Sequence, residues 1–358
     1  MKILVGLSGG VDSATVAYLL QQAGHEVIAA TMSIWDKNQT FKAAGKDACF
    51  SPHEEQDIEA ARQICKQLDI PYYVFDCTEQ YQKTVLSYFK QEYLNGRTPN
   101  PCVRCNATIK FDALPLTAKQ QGLEFDKFAT GHYARLSYNA SANRWQLQEA
   151  VDKTKDQSYF IYRLSQEQLS RIMLPLGGYT KAQIREFARS AGLTVCDKPD
   201  SQDFYSGDIN DIIQAAPKTG NFVTKDGKIL GQHQGIWNFT IGQRRGLGVS
   251  ADKPLYVIGL NKEKNEVILG YADESFNRGL IAHNLNWLSI AGLNEPTKVK
   301  AKIRSSQKPT EATATLTAAD ELKIEFEDMQ KALTPGQSVV LYDNNEYVLG
   351  GGIIDSVF

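Results

Sequence analysis

The opening of the chain constrains its fold most. Ile3, Leu4, Val5 and Leu7 form an apolar run with the character of a buried parallel strand, and a helical stretch from Ala14 to Leu20 ends at Gly24. Between them lies Ser8-Gly9-Gly10-Val11-Asp12-Ser13, a glycine turn at the strand's carboxyl end. Gly9 and Gly10 lack a Cβ and tolerate positive φ, so consecutive N–H groups can converge on one anion beside the positive end of the helix. The turn reads as a pyrophosphate cradle built mainly from backbone.

No Gly-Lys-Ser/Thr follows this turn and no Gly-x-Gly-x-x-Gly occurs in it, which excludes a kinase-type P-loop and a dinucleotide fingerprint. Ser-Gly-Gly-x-Asp-Ser instead resembles the PP-loop of the ATP pyrophosphatases, enzymes that split ATP between the α and β phosphates and pass AMP to a substrate oxygen. That resemblance implies Mg²⁺ on Asp12 and phosphate oxygens on Ser8 and Ser13.

Strand and helix patterns alternate from residue 1 to about 205, the signature of an α/β, doubly wound parallel sheet. Strands are expected at Ile28 to Met32, Pro71 to Asp76 and Lys127 to Thr130, and helices at Glu54 to Leu68, Glu79 to Asn95, Leu114 to Gln121, Gln166 to Ile172 and Lys181 to Ala191. Ligands bind beyond the carboxyl ends of such strands, so Met32 is either an adenine contact or a core residue, Gly131 is expected near the nucleotide, and His132 should face the substrate. Residues 35–52 read as a long loop. In Gly96-Arg97-Thr98-Pro99-Asn100-Pro101-Cys102-Val103-Arg104-Cys105-Asn106, two prolines predict a stiff, extended arm that presents Cys102 and Cys105. A hairpin is expected over residues 134–149. Lys155, Asp156 and Gln157 then precede Ser158-Tyr159-Phe160; alone, that cluster reads as a solvated loop or a phosphate tracker.

Past residue 205 the texture turns to short strands and turns, predicting a small β-rich central domain over 206–276 and a C-terminal β-barrel over 277–358. The formal charge is −2, so any polyanion must be met locally. Two basic stretches qualify. Arg244 and Arg245 lie in a glycine-flanked loop, and Lys298, Lys300, Lys302 and Arg304 share one face of a strand whose other face, Val299, Ala301 and Ile303, is apolar. No segment has the length of a membrane span and the amino terminus carries no leader pattern, so a cytoplasmic protein is expected. In a reducing compartment the six cysteines read as thiols, ligands or catalysts. Cys65 and Cys77 fall on core faces; Cys49 sits in a loop with its role open.

The PP-loop, the Cys102-Val103-Arg104-Cys105-Asn106 arm running on to Ile109-Lys110-Phe111, Gly131-His132-Tyr133, Lys155-Asp156-Gln157-Ser158-Tyr159-Phe160, Gly242-Gln243-Arg244 and Thr334-Pro335-Gly336-Gln337 together resemble the tRNA-specific 2-thiouridylase family, nearly end to end. The resemblance implies that the C2 oxygen of a wobble uridine in tRNA attacks ATP, releasing pyrophosphate, and that sulfur carried on the enzyme then displaces AMP. It implies ATP contacts from Gly6, Leu7, Ser8, Gly9, Gly10, Val11, Asp12, Ser13, Met32 and Gly131. It implies tRNA contacts from Asn100, Pro101, Cys102, His132, Lys155, Asp156, Gln157, Arg304, Ser305 and Gln337, and makes Cys105 the nucleophile. A sulfur-donor protein is the implied partner, and a monomer is expected.

One departure stands out. The family's second cysteine follows the Asp200-Ser201 pair, and this chain has Phe204-Tyr205-Ser206 there. Three repairs are open: Cys196 takes the role, Cys102 pairs with Cys105, or Cys102, Cys105 and a third thiol hold an iron–sulfur cluster. Two other functions are also open, a PP-loop ligase that adenylates a small molecule and a non-catalytic tRNA binder.

Overall fold

A computed structural model describes residues 1–37, 48–196, 198 and 204–358. Asp200 and Ser201 therefore lie outside the described residues. Three units follow one another along the chain. The first carries a five-stranded, all-parallel sheet whose spatial order is Tyr72–Asp76, Glu26–Ser33, Lys2–Gly6, Lys127–Ala129 and Ile172–Met173. Strand order reverses at Lys2–Gly6, so the crevice between its carboxyl end and that of Lys127–Ala129 is the topological switch point where such sheets take ligands. Side-chain alternation gives each face its own core. Leu4, Ile28 and Phe128 pack with the helices of residues 78–120, and Ile3, Val5 and Ala29 pack with the helices Val11–Gln22, Glu54–Leu68 and Lys181–Ser190.

The fifth strand is a departure from expectation. Ile172 ends the expected helix but opens Ile172–Met173, pairing with Phe128 and Ala129. Two residues are too few to carry a periodic signal, and Ser165 and Gln168 form a capping box that defines only the start of the preceding helix, Gln166–Arg171.

The arm is the larger correction. Pro101–Cys105 is helical, and the helix runs on as a π-type stretch, Asn106–Ala113, into Leu114–Gln120. Pro101 occupies the first helical position, where a missing N–H costs nothing, and the Asn100 Oδ1 accepts from the Val103 N–H at 3.2 Å to cap the turn. Only Arg97 to Asn100 lie outside helix and turn. They are braced by the C-terminal unit: the Thr98 N–H donates to the Pro335 carbonyl at 2.9 Å, and the Gln337 Nε2 donates to the carbonyls of Thr98 and Pro99 at 3.1 and 3.0 Å.

The central unit is a four-stranded sheet in the order Tyr256–Asn261, Glu266–Gly270, Gly220–Val223, Ile229–His233. The last unit is a closed, six-stranded antiparallel barrel over Phe276–Val357. It docks on the segment that read as a solvated loop or phosphate tracker. The Tyr159 and Tyr162 hydroxyls, both buried, donate to the carbonyls of Ser338 and Gly352 at 3.0 and 3.2 Å.

Candidate active site

One cavity of about 380 Å³ opens at the switch point. Its walls bring together the cradle (Gly6, Leu7, Ser8, Asp12, Ser13), Met32 at the end of the second strand, Gly131 and His132 at the end of the fourth, Gln157, and Cys102, Cys105, Asn106 and Lys110 from the arm helix. Residues far apart in sequence thus share one chamber of the size that small-ligand sites occupy.

The cradle holds its shape through its own side chains. The Ser8 N–H donates to the Ser13 Oγ at 3.1 Å, and the two hydroxyls lie 3.2 Å apart. Gly9 has φ +71°, and a Cβ there would lie 2.6 Å from the Asp57 carbonyl oxygen. Gly9→Ala is accordingly expected to shift the turn and weaken ATP binding about tenfold or more, roughly 1.4 kcal/mol, with little change in tRNA affinity; nucleotide titration by calorimetry checks this. Gly131, just past the end of the neighbouring strand, is also tight, since a Cβ there would meet the Ser13 backbone nitrogen at 3.0 Å.

Asp12 lines the cavity with both carboxylate oxygens 2.8 Å from the Lys181 Nζ, and its Oδ1 also accepts from the Tyr133 hydroxyl at 2.7 Å. Lys198 braces the turn from behind, 3.2 Å from the Gly9 carbonyl and 2.8 Å from Asp57 Oδ1. Neither lysine stood among the expected site residues. Lys181 was nonetheless legible: it shares the stripe of Ile184 and Ala188, and a buried cation at a helix's positive end requires an acid opposite.

Cys105 is half-buried, and burial pushes its thiol up to about 11, with Lys110 pulling down and Cys49 adding to the rise. At pH 7 only about one thiol in 10⁴ is ionised, so alkylation of Cys105 should accelerate about tenfold per pH unit up to that value. Lys110→Met is expected to slow it a further 3- to 10-fold at fixed pH, read by peptide mass spectrometry after iodoacetamide. His132 is buried, bonded through Nδ1 to the Thr130 hydroxyl at 2.8 Å, and held neutral because burial lowers its pKa well below the usual value.

Several expected tRNA contacts face inward. The Asp156 carboxylate accepts from Ala150 N–H at 3.0 Å and the Ser158 hydroxyl at 2.8 Å, and lies 3.5 Å from buried Lys302. Gln157 Oε1 accepts from the Tyr133 N–H at 3.0 Å while lining the cavity; Lys155 is half-buried just before it. Arg304 donates to the Thr334 hydroxyl at 2.8 Å and the Ala332 carbonyl at 3.2 Å, with Ser305 exposed beside it. The strand Thr297–Lys302 ends before Arg304, so three of the four expected cations share its face, with Val299 and Ala301 buried behind them, and each has an acid beside it: Lys298 pairs with Glu327, Lys300 with Glu311 and Lys302 with Asp156. Like charges on one strand are relieved by acids on neighbouring elements, so no polyanion is needed to explain them. Arg244 and Arg245 are exposed. Cys196 lies outside the cavity, packed among the core of the other sheet face, and Cys65 and Cys77 are buried.

Three family models match in succession: a tRNA methyl transferase HUP domain over residues 1–205, a tRNA methyl transferase PRC-barrel domain over 209–271 and an aminomethyltransferase beta-barrel domain over 277–354. The chain is 49% identical to the tRNA-specific 2-thiouridylase MnmA of Endomicrobium trichonymphae over 99% of both chains. It is 44% identical to the protein of the same name from Koribacter versatilis over 98% of each. Among solved structures, NMN synthetase from Francisella tularensis aligns at 18% identity with a TM-score of 0.32, covering 55% of this chain and 64% of that one. Identity of this depth along the whole length, on a cradle and arm that meet in one chamber, shows that the chain belongs to the tRNA-specific 2-thiouridylase MnmA family.

Proposed function

We propose that the chain is a tRNA 2-thiouridylase, which uses ATP to adenylate the C2 oxygen of a wobble uridine and replaces that oxygen with sulfur. The observation that carries this reading is the single cavity shared by the cradle and Cys105. An amide-like oxygen leaves poorly, so it is first converted to a phosphate ester. Backbone N–H groups of the turn and the Ser8 and Ser13 hydroxyls take up charge on the departing pyrophosphate. Met32 and Gly131 flank the nucleotide. The base must leave its stack to reach the chamber, where Cys102 and neutral His132 meet it and Gln157 holds the wall, while Asn100 and Pro101 contact the tRNA from the start of the arm helix. Lys110, beside Cys105, favours its thiolate and the phosphate of departing AMP. Arg244 and Arg245 suit the RNA backbone.

Asp12 fits a Mg²⁺ ligand: Mg²⁺ is commonly held by one or two carboxylates together with substrate phosphates, and Asp12 lines the chamber with lone pairs left beyond its two partners. Bound there, the ion would neutralise charge on the phosphates. An iron–sulfur cluster fits less well. Among the described residues no three Cys, His, Asp or Glu side chains converge closely enough to hold a metal ion. Among the described residues no helix is long and apolar enough to cross a membrane. We read the units as 1–205, 206–276 and 277–358, in a cytoplasmic monomer served by a sulfur-donor protein.

The test is isotope exchange between pyrophosphate and ATP with and without tRNA. A thiouridylase exchanges only with tRNA; exchange without tRNA would make the chain a small-molecule ligase, and none under either condition a binder.

A further inference from the structure

We propose that Cys49 is the thiol at which sulfur enters this active site, working as a pair with Cys105; the proposal rests on the thiolation reading above. Two observations carry it. Cys49 is exposed, yet it lines the same chamber as Cys105, Cys102 and the cradle. It is the most accessible thiol there, since Cys105 is half-buried at the arm helix. A donor too large to enter the chamber can therefore reach Cys49 from outside, and the sulfur it leaves already faces the substrate.

The chain also holds Cys49 in place. The Phe50 N–H donates to the Phe204 carbonyl at 3.0 Å, and the Phe50 ring stacks on Phe204 and Tyr81 with centroids 6.1 and 5.4 Å apart. Cys49 is thereby pinned beside residues 204–205, where the resemblance led us to expect a cysteine and the chain has none. Tyr205 itself is turned to Asp211, donating to its carboxylate at 2.6 Å, and is not part of the chamber wall. Cys196 packs on the opposite face of the sheet, and Cys102, which also lines the chamber, is less exposed than Cys49.

The chemistry balances as follows. A persulfide donor passes its outer sulfur to the Cys49 Sγ, leaving a thiol behind. The terminal sulfur of the Cys49 persulfide attacks C2 of the adenylated uridine; a C–S bond forms, the C2–O bond breaks, and AMP departs with the oxygen and the persulfide proton. Cys105 then attacks the Cys49 Sγ. The S–S bond to the new sulfur breaks, its electron pair stays on the nucleoside, and the Cys105 proton ends on N3, giving 2-thiouridine and a Cys49–Cys105 disulfide. An external dithiol supplies the two electrons and two protons that restore both thiols.

The experiment uses the full-length protein with glutathione persulfide as the probe. After brief loading without ATP or tRNA, alkylation and peptide mass spectrometry should find the sulfane sulfur on Cys49; finding it on Cys102, Cys105 or Cys196, or on no cysteine, overturns the proposal. After one turnover with ATP and tRNA and no reductant, the disulfide should join Cys49 to Cys105. In Cys49→Ser the ratio of 2-thiouridine formed to pyrophosphate released should fall about 100-fold or more; an unchanged ratio overturns the proposal. If the wild-type protein released no pyrophosphate with tRNA, the thiolation reading would fail instead, and the loading experiment would still report on Cys49.

Discussion

Cys105→Ser is expected to lower 2-thiouridine formation by at least ~10³-fold while pyrophosphate release from ATP still depends on tRNA. A serine hydroxyl has nearly the shape of the thiol, and the start of the arm helix is set by Asn100 and Pro101, so the chamber should keep its form. The hydroxyl cannot form or break a bond to sulfur at the enzyme, however, so adenylation proceeds and the second half-reaction stops. Nucleoside mass spectrometry and a pyrophosphate assay on the same sample separate the two halves. Substantial thiolation by this variant would remove Cys105 from the chemistry.

The cradle was legible because its chemistry is local: strand, glycine turn and helix adjoin in sequence, and their geometry follows from a few φ angles and one helix end. The parallel sheet was legible for a similar reason, since apolar runs alternating with amphipathic stretches admit few topologies. The arm misled because two prolines were weighed as breakers without regard to position. Pro101 at the first helical turn, behind an asparagine cap, starts a helix where the same residue three positions on would end one.

The Lys155 to Phe160 segment was illegible for another reason. Asp156 and Ser158 bond each other, the Tyr159 hydroxyl donates to the Ser338 carbonyl of a barrel some 180 residues away, and the Ser158 Oγ lies 3.1 Å from the Tyr342 hydroxyl of the same barrel. A polar stretch looks solvated until its partners are known. The same holds for Gln337, whose amide secures the arm from below. Part of what the motif-level resemblance suggests for RNA contact is thus spent on holding the barrel against the nucleotide domain.

Asp12 has one observed ion pair, with Lys181, and one proposed function, and mutation can separate them. As the counter-charge of Lys181 it joins the start of the first helix to that of Lys181–Ser190, in a pair whose side chains are 26% and 11% exposed. As a chamber carboxylate it is the proposed ligand of Mg²⁺. Asp12→Ala removes both. The stranded ammonium should cost about 2 kcal/mol, below the ~3–5 of a fully enclosed pair because water reaches part of this one, and lower Tm by about 4–8 °C. Pyrophosphate release should fall about 10²-fold or more beyond any loss of folded protein. Lys181→Met removes the counter-charge alone and leaves Asp12 its bond from Tyr133, so it should cost about 1 kcal/mol and keep adenylation within roughly tenfold of wild type. In the double variant no charge is left stranded, and its stability loss should fall short of the two single losses combined by about 1 kcal/mol or more. Thermal unfolding of the four proteins measures that shortfall. If the losses simply add, the ion pair does not couple the two helices; if Lys181→Met is as inactive as Asp12→Ala when normalised to folded protein, Asp12 has no role in adenylation apart from its lysine.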